Sequence, residues 1–349
     1  MQLDRTHVAI RIRTISEIGD LALVMIRRYP GALLVAFVLG ALPWILLDYA
    51  ILGYLPIREA QLGLNDPDAV PELRRFRMWF ITLVFLQTPW AGAAATYYLG
   101  QAVFEAKPTY RSVFAAVRSK RWTLLWTLGI LRGPLLWMWV PILRWGSPYN
   151  GFFDVFVPGA VLVLYGAVRG GRPFLPEILL LEQCPVRGKN ERTITASLRS
   201  SRLHGPISGM LMHRGVVVSL VLVGLTLSFY HTSGTFLSLL TGNRSTFSLV
   251  PVLFLFPLAL WIVAGISVFV RFLNYLDSRI RLEGWDVELA VRAEAIRQFG
   301  DDTGGPATNG GPPHVTAGDN SIGGTSGRQT PGKTPGGPVS GGAVAGAMG

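Results

Sequence analysis

Residues 247–270, FSLVPVLFLFPLALWIVAGISVFV, run for 24 positions without a charged side chain. A hydrocarbon layer about 30 Å thick is crossed by roughly 20 apolar residues in helical form. This stretch is therefore long enough to span a membrane. Five further stretches follow the same rule. The first, residues 30–55, carries Asp48 near its end. The second, from Met78 to about Phe104, is uncharged. The third, from Trp122 to Leu143, contains Arg132. The fourth begins near Phe152 and is the weakest, because its uncharged part, 155–168, is short for a span. The fifth starts at Gly215 and leads towards the quoted run.

Composition points the same way. The 349 residues are half hydrophobic and only 15% charged, against about 25% in soluble domains, and mean hydropathy is +0.39. These values exclude an ordinary soluble enzyme, a disordered chain and a disulfide scaffold. The expected fold class is all-α: a polytopic helical membrane bundle of about six transmembrane helices, with interfacial amphipathic helices and a disordered C-terminal tail. The expected division is 1–29, an interfacial segment; 30–275, the membrane domain; 276–300, an exit helix; and 301–349, a tail dominated by Gly, Pro, Ser and Thr. The tail has no apolar periodicity with which to offset its ordering entropy.

The net charge of +11 would suggest nucleic acid in a soluble protein. Here basic residues gather beside spans, as expected for the cytoplasmic face of a membrane protein, and no nucleic-acid partner is expected. The segments 105–121 and 169–214 are rich in Lys and Arg, while Arg144 and Arg244 are the few basic residues after the third and fifth spans. Six spans then place both termini in the cytoplasm, in a cytoplasmic (inner) membrane. The N-terminal MQLDRTHVAIRIRTISEIGD lacks the apolar core of a signal peptide. The partner expected first is the bilayer itself, then other membrane proteins; no small-molecule ligand can be named.

Basic, helix-compatible segments precede the odd-numbered spans: RTISEIGDLALVMIRRYPGALL, PTYRSVFAAVRSKRWTLL and RTITASLRSSRLHGPISGML. In the first, Ile15, Ile18, Ala22 and Met25 share one helical face. Such helices suit the interface, apolar face towards the acyl chains, and suggest three hairpin units.

No P-loop, GxSxG, HExxH or CxxC is present. Cys184, the sole cysteine, precludes an internal disulfide, and the histidines are scattered. No metal and no cofactor is expected. An intramembrane charge is costly, so it faces the bundle or water. Arg132, beside Gly133 and Pro134, and Asp48 are thus the candidate intramembrane polar contacts. They differ in depth by roughly 10 Å on straight helices, so a direct pair needs a kink. Arg132 satisfied by carbonyls and Asp48 near the outer interface is the plainer reading. The segment RGGRPFLPEILLLEQCP after the fourth span either continues that helix or folds separately, with Gly170 and Gly171 as a hinge.

The string FVRFLNYLDSRIRLEGWDVELAVRAEA ends the last span. On a helix, Asp277 and Arg281 are i,i+4 neighbours, as are Arg279 and Glu283. Tyr275 and Trp285 suit the headgroup region. Gly284 permits a bend, and Asp286 can cap a following helix. Tyr275, Asp277, Arg279, Arg281, Glu283, Gly284, Asp286 and Glu288 form the candidate interfacial or docking motif.

With RTISEIGDLALVMIRRYPGALL, PFLPEILLLEQCP and YLDSRIRLEGWDVEL in hand, the chain resembles a group of uncharacterised bacterial multi-spanning proteins. These are similar to the membrane domain attached to certain glycerophosphodiester phosphodiesterases. The resemblance covers roughly residues 14–298 and implies a six-span module. It carries no phosphodiesterase activity, because too few residues follow the spans for a hydrolase barrel of about 250. The leading functional expectation is a non-enzymatic scaffold or accessory subunit, with the small-residue stretch Ala91, Gly92, Ala93, Ala94, Ala95 allowing close helix contact. The alternative is a transporter or lipid-handling protein with Arg132 at a broken helix, its mark being a cavity beside Arg132. An enzyme acting on lipid phosphodiesters is third. It needs Asp277, Glu283, Asp286, His204 and His213 to converge.

Overall fold

The chain enters the bundle through a capped helix. In the computed structural model, which describes residues 13–62, 70–103, 108–186, 188, 194–242 and 250–283, α1 (Ile15–Arg28) begins at Thr14. The Thr14 hydroxyl accepts from the Glu17 amide, and the Glu17 carboxylate accepts from the Thr14 amide at 2.8 Å. This reciprocal box satisfies two orphan donors of the first turn. Arg27 and Arg28 occupy the last turn, where cations oppose the helix dipole. Ile18, Ala22 and Met25 are buried, and α1 packs on the last helix of the bundle. The apolar stripe expected against acyl chains is thus taken up by protein, leaving Leu23 and Val24 exposed.

The described residues contain helices and no strand. The first span, α2, runs through Ala32–Arg58. The second is bent by 42° between α3 (Val70–Ala91) and α4 (Ala93–Ala102). A short α5 (Tyr110–Ser119) precedes a third span bent by 57° between α6 (Arg121–Ile130) and α7 (Pro134–Leu143). The fourth is α8 (Phe152–Gly171). After α9 (Leu175–Leu180) and α10 (Ala196–His204) come the fifth, α11 (Ser208–Thr241), and the sixth, α12 (Pro251–Glu283). Four of these are long and apolar enough to cross a membrane singly, and each bent pair adds one more. The chain is a polytopic helical membrane bundle. The expected tail, 301–349, lies outside the described residues.

Polar ties show the spans alternating in direction. At the α1 end, the Tyr29 hydroxyl donates to the Ala102 carbonyl, and Arg13 meets Asp277. At the opposite end, Arg75 at the start of the second span donates to the carbonyls of Arg144 and Ser147 after the third. It also lies 3.3 Å from Asp154 at the start of the fourth. Asp154 accepts from Arg144 and the Asn150 amide as well, which explains how a carboxylate can open an apolar helix. With Asp154 so neutralised, the fourth span extends well beyond 155–168 and stops at Gly171; α9 is a separate piece.

Proline shapes the spans and side chains repair the damage. A proline in a helix deprives the carbonyl four residues earlier of its amide partner. Pro257 does this to Leu253, whose carbonyl accepts from the Tyr49 hydroxyl at 2.6 Å. Pro89 does it to Phe85, whose carbonyl accepts from Arg169. At the break of the third span Gly133 has φ +90°, a conformation that favours glycine.

Small residues set the spacing. A Cβ at Gly40 would stand 2.2 Å from the Ala91 carbonyl oxygen, and one at Gly92 2.5 Å from Val268. The 91–95 stretch therefore serves contacts within the bundle, around a core that includes Trp79, Phe80, Leu83, Phe269 and Phe272.

Candidate functional site

Four spans do not close on one another. Between α3, α8, α11 and α12 lies a cleft of about 720 Å³. α8 and α11 meet at Gly170 and Gly215, where a Cβ on Gly215 would lie 3.5 Å from the Gly170 Cα. Further along, the walls are aliphatic: Val163, Leu220, Val223, Leu260 and Val263 all face the cavity. Val163, Leu220 and Val223 are also exposed on the bundle surface, so the cleft has a greasy mouth between helices.

Its other end is cationic. Arg132, Arg169, Arg214 and Arg271 all line it. Arg132, only 7% exposed, comes from the break between α6 and α7 and donates through Nη2 to the Arg172 carbonyl at 2.6 Å. Arg169 comes from the last turn of α8 and donates to the carbonyls of Phe85 and Leu86; its buried Nε has no hydrogen-bond partner. Arg271, on α12, pairs with Glu177 of α9 at 2.7 Å and donates to the Thr96 hydroxyl. Glu177 is fully buried, and its second oxygen has no partner. Arg214 is matched by Asp277 at 2.7 Å. Arg132 feels the charges of Arg271, Glu177 and Arg172, and Arg169 those of Arg132 and Arg271. Among the described residues neither Arg132 nor Arg169 has a carboxylate ion-pair partner.

The sequence flagged Arg132 but not its neighbours. Arg169, Arg214 and Arg271 read as ordinary loop-side charges, each next to the end of an apolar run. What joins them is packing of helices far apart in the chain, aided by the Gly170–Gly215 contact. Arg132 itself donates to a backbone carbonyl, that of Arg172 just past the end of α8.

Asp48 lies elsewhere. It is fully buried and accepts from Gln87 at 2.7 Å; Gln87 also reaches the Met138 sulfur at 3.9 Å. It therefore joins α2, α3 and the residue after Trp137 in the third span, and makes no pair with Arg132. Its second oxygen has no hydrogen-bond partner.

The exit motif is a network. The two expected i,i+4 pairs form, Arg281 with Asp277 at 2.8 Å and Arg279 with Glu283 at 2.6 Å. Each is tied to distant chain. Asp277 also accepts from the Arg13 amide at 2.8 Å and from Arg214. Glu283 pairs with Arg199 of α10, which holds Glu182 as well, and the Tyr275 hydroxyl donates to Glu182 at 2.7 Å. Gly284, Asp286 and Glu288 lie outside the described residues. His204 stacks on Phe174 and hydrogen-bonds within α10; among the described residues no hydrogen bond or ion pair joins it to Asp277 or Glu283. Burial, reinforced by Glu182, pushes the Cys184 thiol up, away from the thiolate that reactivity needs. No group of His, Cys, Asp and Glu able to hold a metal exists among the described residues.

Comparison with protein-family models, with curated proteins and with solved structures finds no match to this chain. The cleft and its four arginines are therefore the basis for a functional reading.

Proposed function

We propose that the protein handles a lipid: it takes an amphiphile with an anionic head group into the cleft between the second, fourth, fifth and sixth spans. The observation that carries this reading is the polarity of one cavity, aliphatic along its length and guanidinium-lined at one end. Ligand sites of about 300–1,000 Å³ with mostly apolar walls and a few convergent polar groups are typical of small-molecule binding. Here the apolar part opens where acyl chains would lie. The small-residue stretch at 91–95 makes close contacts within the bundle, Ala91 with α2 and Gly92 with α12, so it offers the scaffold reading no separate support. The resemblance to bacterial multi-spanning proteins accords with such a module and adds no chemistry of its own.

Co-purification tests the reading. Protein extracted in mild detergent is expected to retain anionic lipid, measured by mass spectrometry of an organic extract. Arg132→Ala removes a charge-assisted contact, worth about 1.5–3 kcal/mol. It is expected to lower retention about tenfold or more while unfolding stays within a few degrees of the parent. Equal retention by parent and variant, or no retained anionic lipid, refutes the proposal.

The same reading sets the cationic end at the cytoplasmic headgroup level, in a bacterial inner membrane with both termini inside. Val186→Cys, at an exposed position in a Cys184→Ser background, reports this directly. A membrane-impermeant maleimide is expected to label it only after spheroplasts are permeabilised. In a Cys184→Ser background, Pro148→Cys is expected to label in intact spheroplasts. The opposite pattern reverses the orientation.

A further inference from the structure

We infer that the head group this cleft selects is a phosphate monoester: a lipid ending in a dianionic phosphate, in preference to a phosphodiester or a carboxylate. The inference rests on the lipid-handling reading and narrows it through charge and hydrogen-bond geometry.

Charge comes first. Arg214 already has Asp277. The remaining cleft arginines are Arg132, Arg169 and Arg271, and Glu177 is the one carboxylate paired with any of them among the described residues. Three guanidiniums against one carboxylate leave two positive charges in a largely desolvated place. Uncompensated buried charge is strongly unfavourable, so occupancy by a dianion is favoured over occupancy by a monoanion. A phosphate monoester carries about −1.5 to −2 at pH 7, whereas a phosphodiester or a fatty acid carries one negative charge. Arg271 gives Nε to Glu177 and Nη2 to the Thr96 hydroxyl, which leaves its Nη1 for a further acceptor.

Geometry agrees. The three arginines are braced by partners other than a ligand: Arg132 by the Arg172 carbonyl, Arg169 by the Phe85 and Leu86 carbonyls, Arg271 by Glu177 and Thr96. Bracing fixes the guanidinium planes before a ligand arrives, which lowers the ordering cost of binding. The N–H groups left over belong to three different side chains that line one space. Guanidinium forks suit phosphate oxygens. A terminal phosphate offers three non-ester oxygens to such a set, while a diester offers two and a carboxylate two. The aliphatic walls would take the chains.

The experiment is competition for purified, delipidated full-length protein in detergent micelles, with radiolabelled palmitoyl-oleoyl phosphatidate as probe. The competitors are unlabelled phosphatidate, phosphatidylglycerol and phosphatidylcholine of the same chains, oleate and inorganic phosphate. At pH 8, phosphatidate is expected to bind at least tenfold more tightly than phosphatidylglycerol or oleate. The advantage should shrink as pH falls through about 6, where the phosphate monoester dianion takes up a proton and becomes a monoanion. Arg132→Gln, which lowers the local charge by one, is expected to remove most of the preference while phosphatidylglycerol binding changes less. A purely structural role for Arg132 would weaken all lipids alike. Phosphatidylglycerol or oleate binding as tightly as phosphatidate overturns the inference and leaves lipid handling standing. If no anionic lipid outcompetes phosphatidylcholine, lipid handling by the cleft falls as well. Inorganic phosphate binding as tightly as phosphatidate makes the ligand a soluble anion and overturns both.

Discussion

Asp277→Ala is expected to destabilise the bundle by about 3–5 kcal/mol, the usual cost of stranding a buried ionic partner. The carboxylate is 1% exposed and accepts from the Arg13 amide, from Arg214 and from Arg281. It thereby joins the residue before the α1 cap, the fifth span and the sixth. Removing it leaves Arg214, itself buried, with its Nη1 reaching only Asn274 at 3.4 Å and its Nη2 on the Arg13 carbonyl. Arg281 retains more access to water and loses less. Asp277→Asn, which keeps an acceptor for the Arg13 amide, is expected to be milder than Asp277→Ala. Unfolding in mixed micelles of rising SDS fraction measures both. If Asp277→Ala unfolds at the parent's midpoint, the network is ornamental rather than structural.

The second large effect belongs to the helix contact at Gly40. Its Cβ would stand 2.2 Å from the Ala91 carbonyl oxygen, a backbone atom that cannot rotate aside. Gly40→Val adds two further methyls there. Overpacking a tight contact costs about 1–3 kcal/mol, and this case belongs at the upper end, because the first and second spans must part along their contact. Gly224→Val is the control. That position has open space within 4 Å of its Cβ, and a change below about 1 kcal/mol is expected. The same unfolding assay compares them, and equal losses at the two positions would show that glycine spacing is not what the first two spans depend on.

The bundle was legible in the sequence because the solvent leaves a coarse signature: some twenty apolar residues, then a basic or turn-forming break, repeated. The i,i+4 pairs of the exit string were legible for a similar reason, since helical geometry alone brings Asp277 to Arg281 and Arg279 to Glu283. Contacts between distant segments were not. Nothing local tells that Arg13 meets Asp277, or that Asp154 is held by Arg75 and Arg144. The α1 stripe shows the limit well. Ile18, Ala22 and Met25 signal an apolar face, but periodicity cannot say whether lipid or α12 covers it. Asp48 shows it again: its place late in an apolar run suggested a position near the outer interface, but only the packing of α2 against α3 supplies Gln87 as its partner. The cleft was the least legible feature. Three of its arginines sit next to the ends of apolar runs, where a basic residue is already expected.

Pro89 and Arg169 lie eighty positions apart in the chain, yet each is answerable to the other. The ring at 89 sets a carbonyl loose, and the guanidinium at 169 captures it at the edge of the binding space. A sequence descending from this one could not straighten the second span without leaving that guanidinium idle. Nor could it discard the cation without stranding an oxygen in grease. The curvature of one helix and the electrostatics of a cavity are thus inherited together, as a single trait.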